Sequence, residues 1–175
     1  SKNGGVVIMT NELKTKRLVR TAVIAALYAL LTVALAPISY GNFQFRVSEI
    51  LVLLAYFDPF YIGGLTLGCF IANLLGPNGT MDVIFGTLAT FISVGAISLT
   101  AKYIKNKASL VIASLWPTIF NGIIIGWMLN VTVGAPLWLT MGEVALGEFV
   151  VITIVGIPIF KMIQNRYTRL LKEEF

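Results

Sequence analysis

Hydrophobic residues run through this chain in long unbroken stretches, without the short alternations of a soluble sheet or the one-sided stripes of a soluble helix. The stretches are 19–36, 50–57, 60–75, 83–101, 110–129 and 137–160. At 1.5 Å per residue, about 20 apolar residues cross a hydrocarbon core of about 30 Å, so the long stretches predict transmembrane helices. The pair Asp58-Pro59 separates the second stretch from the third. Proline disfavours helix at the residue before it and cannot sit in a regular helix interior, which leaves either one kinked helix over 50–75 or two separate helices.

The basic residues choose between five crossings and six. They gather before the first helix (Lys2 to Arg20), between the fourth and fifth stretches (Lys102, Lys105, Lys107) and at the end (Lys161, Arg166, Arg169, Lys172). Loops on the cytoplasmic side collect Lys and Arg. Six crossings put all three clusters on one side, and five would put 102–107 opposite the amino terminus. The expected architecture is therefore an all-α integral membrane protein with six transmembrane helices and both termini cytoplasmic. It forms one domain over 1–175, with 1–17 as an amino-terminal tail and 161–175 as a cytoplasmic end. The run "ALA" at 34–36 resembles a signal-peptide cleavage site, but Pro37 follows it directly, so an uncleaved first helix is expected. Met9 is a candidate natural start, with 1–8 a tail.

Composition agrees: 57% of the residues are hydrophobic and 12% are charged, about half the ~25% charge of a soluble domain. There is no histidine, and Cys69 is the sole cysteine. That removes Ser-His-Asp and Cys-His nucleophile pairs, the common histidine metal sites and any disulfide within the chain. A GxxxxGK[ST] loop is missing too, so ATP is not bound in the Walker manner. No catalytic residue, cofactor, metal or nucleic-acid partner is expected; a lipid bilayer and a small-molecule solute are.

One polar segment breaks the apolar pattern. Tyr40 to Glu49 reads "YGNFQFRVSE" and holds Arg46, the one Arg or Lys between Arg20 and Lys102. The second stretch is too short to cross alone. Irregular backbone at membrane depth is tolerated only against protein or water, so this segment is expected to fold into the outer mouth of the bundle as a lid or wall. Four acids fall at the outer ends of helices in the six-crossing arrangement: Glu49, Asp82, Glu143 and Glu148. With Gln44, Arg46, Asn73 and Asn121 they form a candidate outward-facing pocket. Phe43, Phe45, Trp127 and Trp138 offer flat walls at similar depth. Intramembrane ionisable groups are costly and usually functional. Each has a plainer reading as well: Arg46 and Glu49 as an i, i+3 pair, Asp82 as a charge at a helix start, Glu143 as a solvated end, and the tryptophans as interfacial belt residues. Excess carboxylates with amides and flat walls suit a planar solute rich in N–H donors and cationic; a guanine-like edge fits that description. On the first helix, Ala22, Ala25, Ala26 and Ala29 stand three and four residues apart, and Gly64 and Gly68 do the same in the third. Such small-residue faces let helices approach closely in lipid, either within the bundle or against another membrane protein.

The stretches "PISYGNFQFRVSEIL", "GLTLGCFIANLLGPNG" and "MDVIFGTLAT", together with the alanine face, resemble the QueT family of queuosine-precursor transporters. These are substrate-binding (S) components of energy-coupling-factor (ECF) importers. The resemblance runs from about Leu18 to the last helix and is most specific over 45–82. It implies a six-helix S component that captures a 7-deazaguanine precursor, with the aminomethyl form foremost, and that works with a transmembrane scaffold protein and two ATPase subunits. It also implies that Ala22/Ala26 or Ala25/Ala29 meet the scaffold. Arg46, Ser48, Glu49, Asn73, Asn78 and Asp82 fall in the family's two pocket blocks. The rival from the residues alone is a self-sufficient proton-coupled transporter, with Glu148 or Asp82 carrying protons. A membrane enzyme lacks its nucleophile, and a purely structural subunit leaves the polar residues unexplained.

Overall fold

The computed structural model describes the backbone of residues 2–172, and no strand occurs among them. Seven helices follow in order: α1 (Lys2–Ala34), a short α2 (Ala36–Ser39), α3 (Val47–Phe57), α4 (Tyr61–Leu75), α5 (Gly79–Tyr103), α6 (Ser109–Val133) and α7 (137–172). Four segments are long and apolar enough to cross a membrane: Asn11–Ala34, Gly79–Tyr103, Ser109–Val133 and Leu137–Arg166. α3 and α4 are shorter apolar helices. Residues 2–17, expected as a tail, continue the helix of α1. Ser1 and 173–175, the extremes of the two expected termini, lie outside the described residues.

Local chemistry sets the breaks. At the Asp58-Pro59 corner Asp58 is extended (φ −151°, ψ 124°), and its Oδ1 accepts the Phe60 N–H at 2.9 Å, turning the chain from α3 into α4. α6 ends on Gly134 in the left-handed conformation (φ 71°). There the Gly134 N–H donates to Asn130 O and the Ala135 N–H to Leu129 O, and Pro136 forbids continuation. Asn78-Gly79 turns α4 into α5 with Gly79 at φ 78°.

The neighbours along each helix reveal its direction. A Cβ on Gly64 would lie 3.1 Å from Thr21 O, and one on Gly68 would lie 2.9 Å from Ala25 O, so α1 and α4 run parallel in close contact. Asn73 bonds Asp82 O and Thr90 bonds Cys69, which makes α4 and α5 antiparallel. Trp116 donates to Thr100 while Trp127 packs on Phe85, so α5 and α6 are antiparallel too. Gly126 meets Met141 and Gly122 meets Ala145, which reverses α7 against α6. One end of the bundle therefore carries the loops 40–46, 76–78 and 134–136 (the loop end). The other carries Lys102, Lys105 and Lys107 (the basic end).

α3 lies in the middle. Val52, Leu53 and Ala55 are fully buried, against Tyr28 of α1, Leu65 of α4, Ile97 of α5 and Ile152 of α7. Its first part, Val47–Leu53, is a 3₁₀ helix, whose rise of ~2.0 Å per residue stretches the eleven residues to about 20 Å. Being wrapped in protein, this irregular backbone exposes no polar group to lipid. Two wide π-helical stretches occur, Asp82–Gly86 inside α5 and Phe149–Gly156 inside α7.

The alanine face of α1 is divided by this packing. Ala25 and Ala29, expected as one option for the docking face, are buried within the bundle; Ala22 and Ala26 are exposed. The physical reason is Gly68, whose missing side chain admits Ala25 and Tyr28. Gly68→Val should therefore lower the melting temperature of the detergent-solubilised protein by several degrees, as overpacking costs about 1–3 kcal/mol. Gly63→Ala, where the added Cβ meets nothing within 4 Å, should leave it unchanged or slightly raised. Equal melting temperatures for the two variants would refute this register of α1 on α4.

Candidate functional site

Six polar side chains from the expected pocket are buried at the loop end: Gln44, Arg46, Glu49, Asn73, Asp82 and Glu148, each at most 4% exposed. The loop 40–46 delivers the first two. It lies so close on α7 that a Cβ at Gly147 would collide with the Phe43 carbonyl; only glycine fits there, one residue before Glu148. Gln44 takes a left-handed conformation (φ 46°), uncommon outside glycine. The backbone turn puts Gln44 inward while Phe43 and Phe45 stack, centroids 5.7 Å apart and planes within 2°.

Arg46 stands at the centre. Its Nε donates to Ser39 O at 3.1 Å, its Nη2 lies 3.7 Å from Asp82 Oδ2, its Nη1 reaches Cys69 Sγ at 4.0 Å, and its guanidinium sits 5.1 Å over the Tyr40 ring. Tyr40 is fixed in turn by donating its hydroxyl to Ala72 O at 2.6 Å. Asn73 donates to Asp82 O at 3.2 Å and to Cys69 Sγ at 3.4 Å, and Thr90 donates to the same sulfur at 3.1 Å. Gly86 must lack a side chain here, since a Cβ would lie 2.6 Å from Asn73 Nδ2 and 2.9 Å from Asp82 Oδ1. Asp82 opens one π-helical stretch and Glu148 directly precedes the other. Wide turns of this kind recur at functional sites because they re-aim side chains that a regular helix would rotate away.

On the far side of Arg46, Glu49 accepts the Tyr28 hydroxyl. Its carboxyl also hydrogen-bonds that of Glu148. Two carboxyls in such contact hold a proton between them, because two bare carboxylates repel. With Arg46 positive and Asp82 negative, the cluster then carries one net negative charge. Thr32 and Ser48 exchange a hydrogen bond at 2.5 Å beside it.

Five atoms of this cluster lack a hydrogen-bond partner: Asp82 Oδ1 and Oδ2, Glu148 Oε2, Asn73 Oδ1 and Gln44 Nε2. Buried polar atoms are normally satisfied. Four acceptors and one donor left open together form a cradle for a solute that offers several N–H groups and at least one acceptor. Among the described residues, no group of three His, Cys, Asp or Glu side chains is placed to hold a metal ion.

Other expected pocket residues lie elsewhere. Trp138 is 80% exposed, far from the solvent-free environment of the cluster, and Trp127 is 40% exposed, edge-on to Phe85. Glu143 is half-buried one helical turn from Glu148. Asn121 is buried but donates to Pro117 O in its own helix at 3.0 Å, serving the proline kink of α6. Conversely, Tyr28, Thr32, Tyr40 and Cys69 belong to the cluster and were not expected. Tyr28 and Thr32 are the polar pair four residues apart within an otherwise apolar helix, a spacing that puts both on one face. Nothing in sequence marked Cys69 as the sulfur around which three donors meet.

A helical bundle with membrane-crossing helices and a sealed, solute-sized polar cradle at one end is the build of a membrane transport protein. The family model described as "QueT transporter" matches residues 18–165, and the chain belongs to that family. It is 40% identical over 146 residues to the queuosine precursor transporter QueT of Lactococcus lactis subsp. cremoris (strain MG1363), covering 78% of this chain and 85% of that relative. No solved structure matches the chain.

The ion pair at the centre makes a stability prediction. Asp82→Ala strands a buried guanidinium and should cost on the order of 3 kcal/mol. The double variant Arg46→Met/Asp82→Leu, which removes both charges, should recover most of that loss in a denaturant titration. A double variant no more stable than Asp82→Ala would show that the two side chains do not act as a pair.

Proposed function

We propose that this chain is the substrate-binding membrane subunit of an ECF-type importer, and that the Arg46 cluster captures a 7-deazaguanine precursor of queuosine, with the aminomethyl form as its preferred ligand. The observation that carries the reading is the set of open buried atoms: Asp82 Oδ1 and Oδ2, Glu148 Oε2 and Asn73 Oδ1 as acceptors, and Gln44 Nε2 as donor. A guanine-type edge presents adjacent N–H donors beside a carbonyl acceptor. A carboxylate takes the donors in pairs and an amide N–H₂ serves the carbonyl. An exocyclic ammonium matches the cluster's net negative charge. The named relative is a queuosine precursor transporter, which points to the same ligand class.

Six crossings with both termini cytoplasmic is the accompanying topology. It is supported by the parallel run of α1 and α4, which requires α3 to return between them, and by the common end of the basic clusters. The loop 40–46 then serves as an outer lid. The exposed Ala22/Ala26 strip, flanked by Leu18, Val19 and Leu30 at half exposure or more, is the surface offered to a transmembrane scaffold, whose two ATPases supply the energy. Trp138 and Glu143 then take positions at the mouth, and Asn121 a supporting one behind the pocket. The Glu49–Glu148 carboxyl contact favours one rival, a proton-coupled transporter acting alone.

Glu148→Gln and Asp82→Asn should each weaken the aminomethyl ligand by about one and a half to three and a half decades by calorimetry, since losing one partner of a buried charged bond costs about 2–5 kcal/mol. The variant that removes the ammonium partner should affect the uncharged nitrile analogue far less. Wild-type affinity for both ligands in both variants would dismiss the cradle. For topology, a cysteine placed at Asn78 should label from outside and one at Asn106 should not; the native Cys69 is buried and contributes little background. Uptake by the chain alone in proton-loaded vesicles would decide for the proton-coupled reading.

A further inference from the structure

We propose that the basic end of the bundle carries a binding site for a single anionic phospholipid, with its phosphate at Lys102 and Lys105 and an acyl chain laid between α4 and α5. A groove of about 790 Å³ opens where the ends of α3, α5 and α7 meet the start of α4, within the ~300–1,000 Å³ range of small-ligand sites. Its walls are of two kinds. Tyr56, Phe57, Ile62 and Leu99 make an apolar side, while Lys102, Lys105, Asn106 and Gln164 make a polar rim with no acidic side chain in the lining. The nearest acid in sequence, Asp58, is engaged by the Phe60 N–H.

A second cavity continues from the first. A cleft of about 370 Å³ runs between α4 and α5, shares Ile62 with the groove, and reaches Phe70 and Phe91. All of its side chains except Thr66 and Thr87 are apolar or glycine. From Lys102 to Phe91 is about 16 Å along the helix, the depth of one leaflet of a ~30 Å core. A cationic rim joined to a leaflet-deep apolar track has the shape of a lipid rather than of a soluble anion. Each lysine keeps donors free: Lys105 spends one on Ala101 O at 2.9 Å, and Lys102 rests over the Tyr103 ring at 5.2 Å. Phosphate-bearing lipids are drawn to such juxtamembrane lysines. The site is separate from the solute cluster, for about 30 Å of α5 lie between Asp82 and Lys102. It requires only that the basic end lie at a membrane surface, as the proposed topology has it.

The test is native mass spectrometry of the full chain released from nanodiscs of equal phosphatidylglycerol and phosphatidylcholine with matched acyl chains. Wild type should retain phosphatidylglycerol preferentially. Lys102→Gln/Lys105→Gln should lower that preference at least about tenfold, whereas Lys14→Gln/Lys16→Gln, an equal loss of charge outside the groove, should leave it. Equal retention of the two lipids, or equal loss in both double variants, would overturn the site. Displacement of the lipid by glycerol 3-phosphate alone, at concentrations comparable to the lipid, would overturn the lipid assignment in favour of a soluble anion. The deazaguanine thermal shift should stay at the wild-type value in the Lys102/Lys105 variant, so a failure here is distinguishable from a failure of the solute reading.

Discussion

The structure hangs on the burial of one guanidinium. An arginine does not shed its proton within a protein, so Arg46, once inside the bundle, compels the surrounding chain to supply partners. They come from separate elements: the Ser39 carbonyl from α2, the Tyr40 ring from the loop, the sulfur of Cys69 from α4 and the carboxylate of Asp82 from α5. Those four points fix the loop over the end of the bundle. The same demand explains why the loop can be both irregular and deep. Its backbone polar groups and its one charge are answered by protein, the condition under which non-helical chain survives at membrane depth.

Holding Arg46 there sets the order of everything beneath it. α3 follows three residues later with Glu49, begins as a tight 3₁₀ helix and descends through the centre of the bundle. Tyr28 meets Glu49 because Gly68 lets α1 lie against α4. Glu148 meets Glu49 because Gly147 lets the loop lie against α7. Two glycines on different helices thus decide which side chains face the charged centre. The open acceptors of Asp82, Asn73 and Glu148 are what remains after Arg46 has been served.

Much of this was legible in the sequence, and what was not has physical causes. The apolar runs, the Asp58-Pro59 break and the folded-in loop follow from transfer energies and proline sterics, and all appear in the helices. Arg46, Glu49, Asn73, Asp82 and Glu148 stood out because charge and amides are costly in lipid, and the fold gathers them. Trp138 did not join them, since an indole at a membrane boundary is stable without a pocket. Ala25 and Ala29 sat on the same three-and-four spacing as Ala22 and Ala26; spacing alone does not say which strip faces Gly68. Cys69 was silent because a thiol counts as apolar in hydropathy yet accepts weak hydrogen bonds from three neighbours.

The π-helical stretch at Phe149–Gly156 bears on how this chain tolerates change of length. A wide turn accommodates residues that an ordinary α-helical ladder would not, so the loss of one residue there closes the ladder and rotates the remainder of α7 by about 100°. Phe160, now stacked on Phe57 with centroids 5.6 Å apart, would swing off the core, while the helix itself stayed intact. Substitutions of one apolar residue for another are absorbed in this segment; a single-codon deletion is not. In the genetic ledger of the molecule, 149–156 is a frame whose count of residues carries information that their identities do not.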